Sequence, residues 1–219
     1  MSNTAIFVAL AAGVMVWLLL ATRLTAKPWE NREQPGDVGA IRASPARVAL
    51  WIFLAVVGSL FTLFLSAYVM RMHHGLGWCH LTIPNLLWYN SLVLVAASAA
   101  MQLASSGAAR GRKRFAQAAL VAGGALTLAF LAGQVAGWRA VGPSLYFIQG
   151  SPAIAFFYVL TIVHGLHLLG GLWVLGRTAV RFTTGTELID LRQSLSLCAI
   201  YWHFLLLVWL VVFAVLLLI

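Results

Sequence analysis

Acidic side chains are nearly missing from this chain: Glu30, Glu33, Asp37, Glu187 and Asp190 are all it has in 219 residues, against fourteen Lys and Arg. The long apolar runs contain no Asp, Glu or Lys at all. That argues against a transporter or proton channel acting alone, because such proteins line their paths with ionisable groups. Cysteine is scarce as well, with only Cys79 and Cys198. The topology derived below puts them on opposite sides of a membrane, which excludes an internal disulfide. No fixed-period repeat, low-complexity tract, phosphate loop, nucleophile elbow or metalloprotease helix is present, so the chain does not read as catalytic. What it has in abundance is apolar surface: 62% hydrophobic, 9% charged, with a mean hydropathy of +0.94. A water-soluble domain of this size needs more polar surface, so the composition specifies an integral membrane protein. The net charge of +9 does not signal nucleic acid, because the bases sit in short loops and form no face that could track phosphates.

Six apolar runs are each long enough to cross a hydrocarbon core of roughly 30 Å as a helix. They lie near 5–22, 48–70, 85–105, 115–138, 152–176 and 195–219. The expected fold is all-α, a polytopic membrane bundle of six helices. Lys and Arg number five in 23–47, four in 106–115 and three in 177–194, whereas the opposite side has only Arg71 and Arg139. This split places the three basic loops in the cytoplasm and both termini outside. The first run carries its charges after it, at Arg23 and Lys27, the reverse of a secretory signal, and reads as a retained helix. Residues 23–47, with Pro28, Pro35 and Pro45, read as a polar linker. The expected organisation is therefore a helix over 1–22, a cytoplasmic linker over 23–47 and a five-helix body over 48–219.

Six histidines raise the question of haem or metal. His167 and His203 both lie about 12–14 Å from the cytoplasmic ends of their helices, at 1.5 Å per residue. Facing each other, they would suit a b-type haem with two imidazole ligands. Such a haem usually needs small residues on both turns beside each ligand; neither histidine has glycine on both turns, and the plainer reading is hydrogen bonding to neighbouring helices or lipid head groups. His73, His74, Cys79 and His80 are metal-ligand residue types, but their spacing fits no standard site and Gly75 and Gly77 loosen the loop. A polar loop meeting a partner is the better reading. Gly133 and Gly137 form a GxxxG that admits a close neighbour, with Gly123 and Gly124 read as adding to the same face. Gln134, in that helix, needs a hydrogen-bond partner.

Five elements, in this order, carry a resemblance. They are Leu50-Trp51-Ile52-Phe53-Leu54, with Ser66 to Tyr68 and Arg71 following; Leu87-Trp88-Tyr89-Asn90-Ser91; Gln134 to Trp138; Thr161 to Leu168, containing His164-Gly165-Leu166-His167; and Tyr201-Trp202-His203-Phe204 on to Trp209. Together they resemble subunit III of the haem–copper oxidases, the family serving cytochrome c and quinol oxidases, across 48–219. The last two elements are the more specific. Three positions at which that family has a carboxylate are apolar here: Val57 (or Gly58), Gly137 and Leu206. Roles tied to those acids do not carry over.

The resemblance implies an accessory subunit of a bacterial terminal oxidase in the inner membrane. It would dock on catalytic subunit I, with subunit II in the assembly, and hold phospholipid. It would carry no cofactor or metal itself, haem and copper belonging to the partners. On this reading His164, His167 and His203 pin the last two helices together. Arg177 and Arg181 meet anionic head groups, and Trp51, Trp138 and Trp209 line lipid tails or sit in the interfacial belts. Asn90, Gln134, Tyr201 and Trp202 complete the structural set. A companion of a nitric oxide reductase, and a membrane b-type cytochrome using His167 and His203, are the alternatives.

Overall fold

The computed structural model describes residues 45–73, 85–145, 152–183 and 188–217. The run 5–22, the linker, and His74, Cys79 and His80 lie outside them, as does the side chain of His73. The described residues form five α-helices: α1 (Pro45–His73), α2 (Leu86–Ala109), α3 (Lys113–Leu145), α4 (Pro152–Thr183) and α5 (Leu188–Leu217). Each is long and apolar enough to cross a membrane. The chain is a multi-pass, all-helical membrane protein, with no strand among the described residues.

The helices outrun the apolar stretches that mark them in the sequence. α2 continues through Ser105-Ser106-Gly107, and α5 begins seven residues before the expected 195. Hydropathy reports where a helix leaves the hydrocarbon and says nothing about where its backbone hydrogen bonds end. Consequently the segment 106–115 shrinks from a loop to the turn Arg110-Gly111-Arg112. Gly111 takes a φ of 74°, a left-handed conformation that favours glycine. Backbone bonds from Gly111 to the Ala108 carbonyl and from Arg112 to the Gly107 carbonyl (2.9 Å) close the turn. Arg192 reaches across from α5 and donates from Nε to the Ala108 carbonyl (2.9 Å), satisfying an acceptor at the negative end of α2.

Helices α2, α3, α4 and α5 close a ring in which each packs on two neighbours, α2 on α3 most extensively. Its interior holds two packed clusters, of which the first is the richer in alanine. Toward the α2–α3 turn the core holds Ala97, Ala104, Ala108, Ala116 and Ala199 with Met101 and Leu120. Toward the other end it is aromatic, with Phe130, Phe157, Trp209 and Phe213. Small side chains bring α2 and α3 close; a methyl group at Gly107 would overlap the Phe115 ring, and one at Gly123 would meet Met101. The glycines do not share one face. Gly123, Gly133 and Gly137 meet side chains of α2, whereas Gly124 meets Leu175 of α4.

α1 lies against α4 and α5 through rings. Phe53 packs on Tyr201 (centroids 6.1 Å), Phe61 on His167 (5.6 Å) and Tyr68 edge-on to Phe156 (5.4 Å). Its lipid-facing hydroxyls fold back on their own helix, Ser59 onto the Ala55 carbonyl and Thr62 onto the Gly58 carbonyl.

Candidate functional site: a hydrogen-bonded ring inside the bundle

A polar group inside a membrane bundle has no water to turn to, so each must be satisfied by protein. Three tryptophans meet that demand in the same way. Trp209 Nε1 donates to Ser91 Oγ (2.9 Å), Trp202 Nε1 to Thr127 Oγ1 (3.0 Å) and Trp138 Nε1 to Thr161 Oγ1 (3.0 Å). Each hydroxyl passes its own proton to a carbonyl one turn back: Ser91 to Leu87, Thr127 to Gly123, Thr161 to Phe157. A hydroxyl is suited to this because it accepts and donates at once. The relays tie α5 to α2, α5 to α3 and α3 to α4.

Amide and imidazole groups complete the ring. Asn90 donates from Nδ2 to both the Phe130 carbonyl (3.0 Å) and Gln134 Oε1 (3.1 Å), joining α2 to α3. Gly133 makes room for this, since a methyl group there would overlap the Asn90 carboxamide. His164, fully buried, lies 3.1 Å from the Leu205 carbonyl through Nε2. A carbonyl only accepts, so Nε2 carries the proton and Nδ1 is a bare acceptor. Its ring is surrounded by Phe61, Phe130 and Trp209. Among the described residues two buried side-chain atoms have no hydrogen-bond partner, Gln134 Nε2 and His164 Nδ1. One is a donor and the other an acceptor.

Several expectations from the sequence change here. Trp209 is entirely buried at the ring's centre and does not line lipid tails, because its indole N–H has a partner on α2. Trp138 is half-buried with its N–H likewise engaged, and Trp51 alone of the three is open to the surroundings. Of the three described histidines expected to pin α4 to α5, only His164 does so by a side-chain hydrogen bond. His167 donates from Nδ1 to Val163 on its own helix (2.7 Å), and the tie beside it comes from Tyr201 Oη to the His167 carbonyl (2.8 Å). His203 turns to α2, where Nδ1 meets Ser98 Oγ (2.5 Å) and Nε2 meets Gln102 Oε1 (3.1 Å). Both nitrogens of His203 meet side chains of α2, while His167 packs on Phe61 of α1. Arg177 is exposed on α4; the side chain of Arg181 lies outside the described residues.

Ser91, Thr127, Ser98 and Gln102 carry ties that sequence reasoning missed as cross-helix partners. Hydroxyls are common in membrane helices and bond their own backbone readily, so nothing in the pattern distinguishes these. Val57, Gly137 and Leu206, the three positions lacking the expected carboxylate, have apolar neighbours. Val57 is buried among apolar neighbours, a side chain at Gly137 would press on Leu87, and Leu206 packs against the aromatic core.

On the outer surface of α2 and α5 a groove of about 450 Å³ is lined mainly by Trp88, Tyr89, Leu92, Val95, Leu210 and Phe213. Among the described residues no three His, Cys, Asp or Glu side chains gather as metal ligands would.

In the described bundle most interior polar groups are occupied in joining helices. The chain is similar to the cytochrome bo(3) ubiquinol oxidase subunit 3 of Pseudomonas aeruginosa, 28% identical over 170 residues, which is 75% of this chain and 80% of the relative. This supports a distant, subunit III-like relationship. No family profile matches the chain.

Proposed function

We propose that this chain is a non-catalytic integral subunit of a bacterial haem–copper terminal oxidase. It sits in the inner membrane with its termini outside, docks on catalytic subunit I with subunit II in the same assembly, and retains phospholipid. The observation that carries the reading is the similarity over three quarters of the chain to a ubiquinol oxidase subunit 3. The ring supports it, because Asn90, His164, Trp202 and Trp209 are engaged in joining helices. Haem and copper belong to the partners on this reading. On this reading Arg177, exposed near the end of α4, and Arg181 meet anionic lipid head groups.

The test is purification of the full chain in mild detergent through a tag, with mass spectrometry and an optical spectrum of what accompanies it. A haem–copper catalytic subunit in near-equal amount is the expected result. Haem retained by this chain with no partner would overturn the reading. A nitric oxide reductase in place of the oxidase would move the subunit to that enzyme.

A further inference from the structure

The surface of a membrane helix bundle normally shows lipid only apolar groups, or hydroxyls that bond their own backbone. α4 follows the rule: its outward stripe reads Ile162, Leu166, Leu169 and Trp173, the last 78% exposed. The α2–α5 face does not. His203 and Gln102 are both exposed there, and His203 lies about 18 Å along the span that begins at Leu191, at 1.5 Å per residue. That is near mid-membrane, where an exposed polar group costs most.

The hydrogen bonds define what this pair still offers. Gln102 Oε1 only accepts, so His203 carries its proton on Nε2 and takes the Ser98 hydroxyl proton on Nδ1. The chain Ser98–His203–Gln102 therefore ends on the Gln102 amide N–H₂, which has no hydrogen bond among the described residues. Val95 and Gln102 are seven residues apart on α2, as are His203 and Leu210 on α5. Two turns of helix place each pair on one face, so the polar pair and the apolar groove form one continuous strip. Ala99, exposed between them, leaves room for close approach.

We infer that this strip is the seat of one transmembrane helix of the catalytic subunit, with a hydrogen-bond acceptor opposite Gln102. An acyl chain fills an apolar groove but offers nothing to an amide, whereas a helix bearing a hydroxyl, a carboxamide or a freed carbonyl satisfies both halves of the strip. The inference rests on the proposed oxidase assembly and names the face it uses.

Leu92 and Val95, and as a control Trp173, are each replaced by p-benzoylphenylalanine in the full chain. The membranes are irradiated and the attached peptides sequenced. The expected result is attachment of Leu92 and Val95 to a single transmembrane segment of the catalytic subunit, with Trp173 attached at least about tenfold less. Adducts confined to lipid, to a quinone or to a second copy of this chain would overturn the inference, as would equal attachment at Trp173. A catalytic subunit that co-purifies yet attaches only through α4 refutes the face and leaves the oxidase reading standing. A transmembrane helix of a different enzyme captured at Leu92 and Val95 refutes that reading and keeps the face. In parallel, Gln102→Leu should reduce partner retained per chain about fivefold, the scale of one interhelical hydrogen bond. Unchanged retention, with the variant chain present at normal level, would overturn the role given to the amide.

Discussion

The α2–α3 pair and α1 are both apolar helices of similar kind, yet they are held by different means. α2 and α3 approach closely through alanine and glycine and are locked by Asn90 reaching over Gly133 to Phe130 and Gln134. α1 stands off on rings, Phe53, Phe61 and Tyr68, and spends its hydroxyls on its own backbone at Ser59 and Thr62. In lipid no hydrophobic force drives one helix onto another, so close packing and interhelical hydrogen bonds must do it. The difference teaches that the four-helix ring is specified position by position, while α1 tolerates change at its contact with α5.

Substitutions can sharpen or break this contrast. The largest effect is expected from Trp209→Ala, which empties the centre of the aromatic half and removes the donor to Ser91; a loss of about 3–5 kcal/mol is expected, read as lowered resistance to denaturing detergent. Next comes Gly133→Ala, whose new methyl overlaps the Asn90 carboxamide. It should cost about 2 kcal/mol through overpacking and lost hydrogen bonds. Trp209→Phe keeps most of the volume and deletes only the bond to Ser91, for a loss of about 1 kcal/mol; the gap between the two Trp209 variants separates packing from hydrogen bonding. The smallest effect should be Gly58→Ala on α1, where the nearest atom is Phe204 Cζ at 3.8 Å. A change within about 0.5 kcal/mol is expected in the same assay. If Gly58→Ala and Gly133→Ala were equally harmful, the distinction between ring and attached helix would fail.

Much of this was open to reading before any coordinates. The need of Gln134 for a partner followed from a carboxamide in lipid, and Asn90 supplies it. The five spans 48–219 were placed within a few residues at most ends, because a hydrocarbon core demands a certain length of apolar helix. Which way His203 turns was not legible, since a helix shows several faces and only the neighbouring helix decides which one is buried. The same holds for Gly124, which faces α4 while Gly123 faces α2. Adjacent residues on a helix point about 100° apart, so sequence neighbours need not share a contact.

By itself, then, the sequence determined the solvent in which this protein folds and the five apolar spans found among the described residues. Those follow from transfer free energies, which add along the chain. Only the tertiary structure decided that Trp209 meets Ser91, that Trp202 meets Thr127, and that His203 leaves α4 for Ser98 and Gln102. Hydrogen bonds between helices depend on rotation and depth together, and neither is fixed until the helices pack.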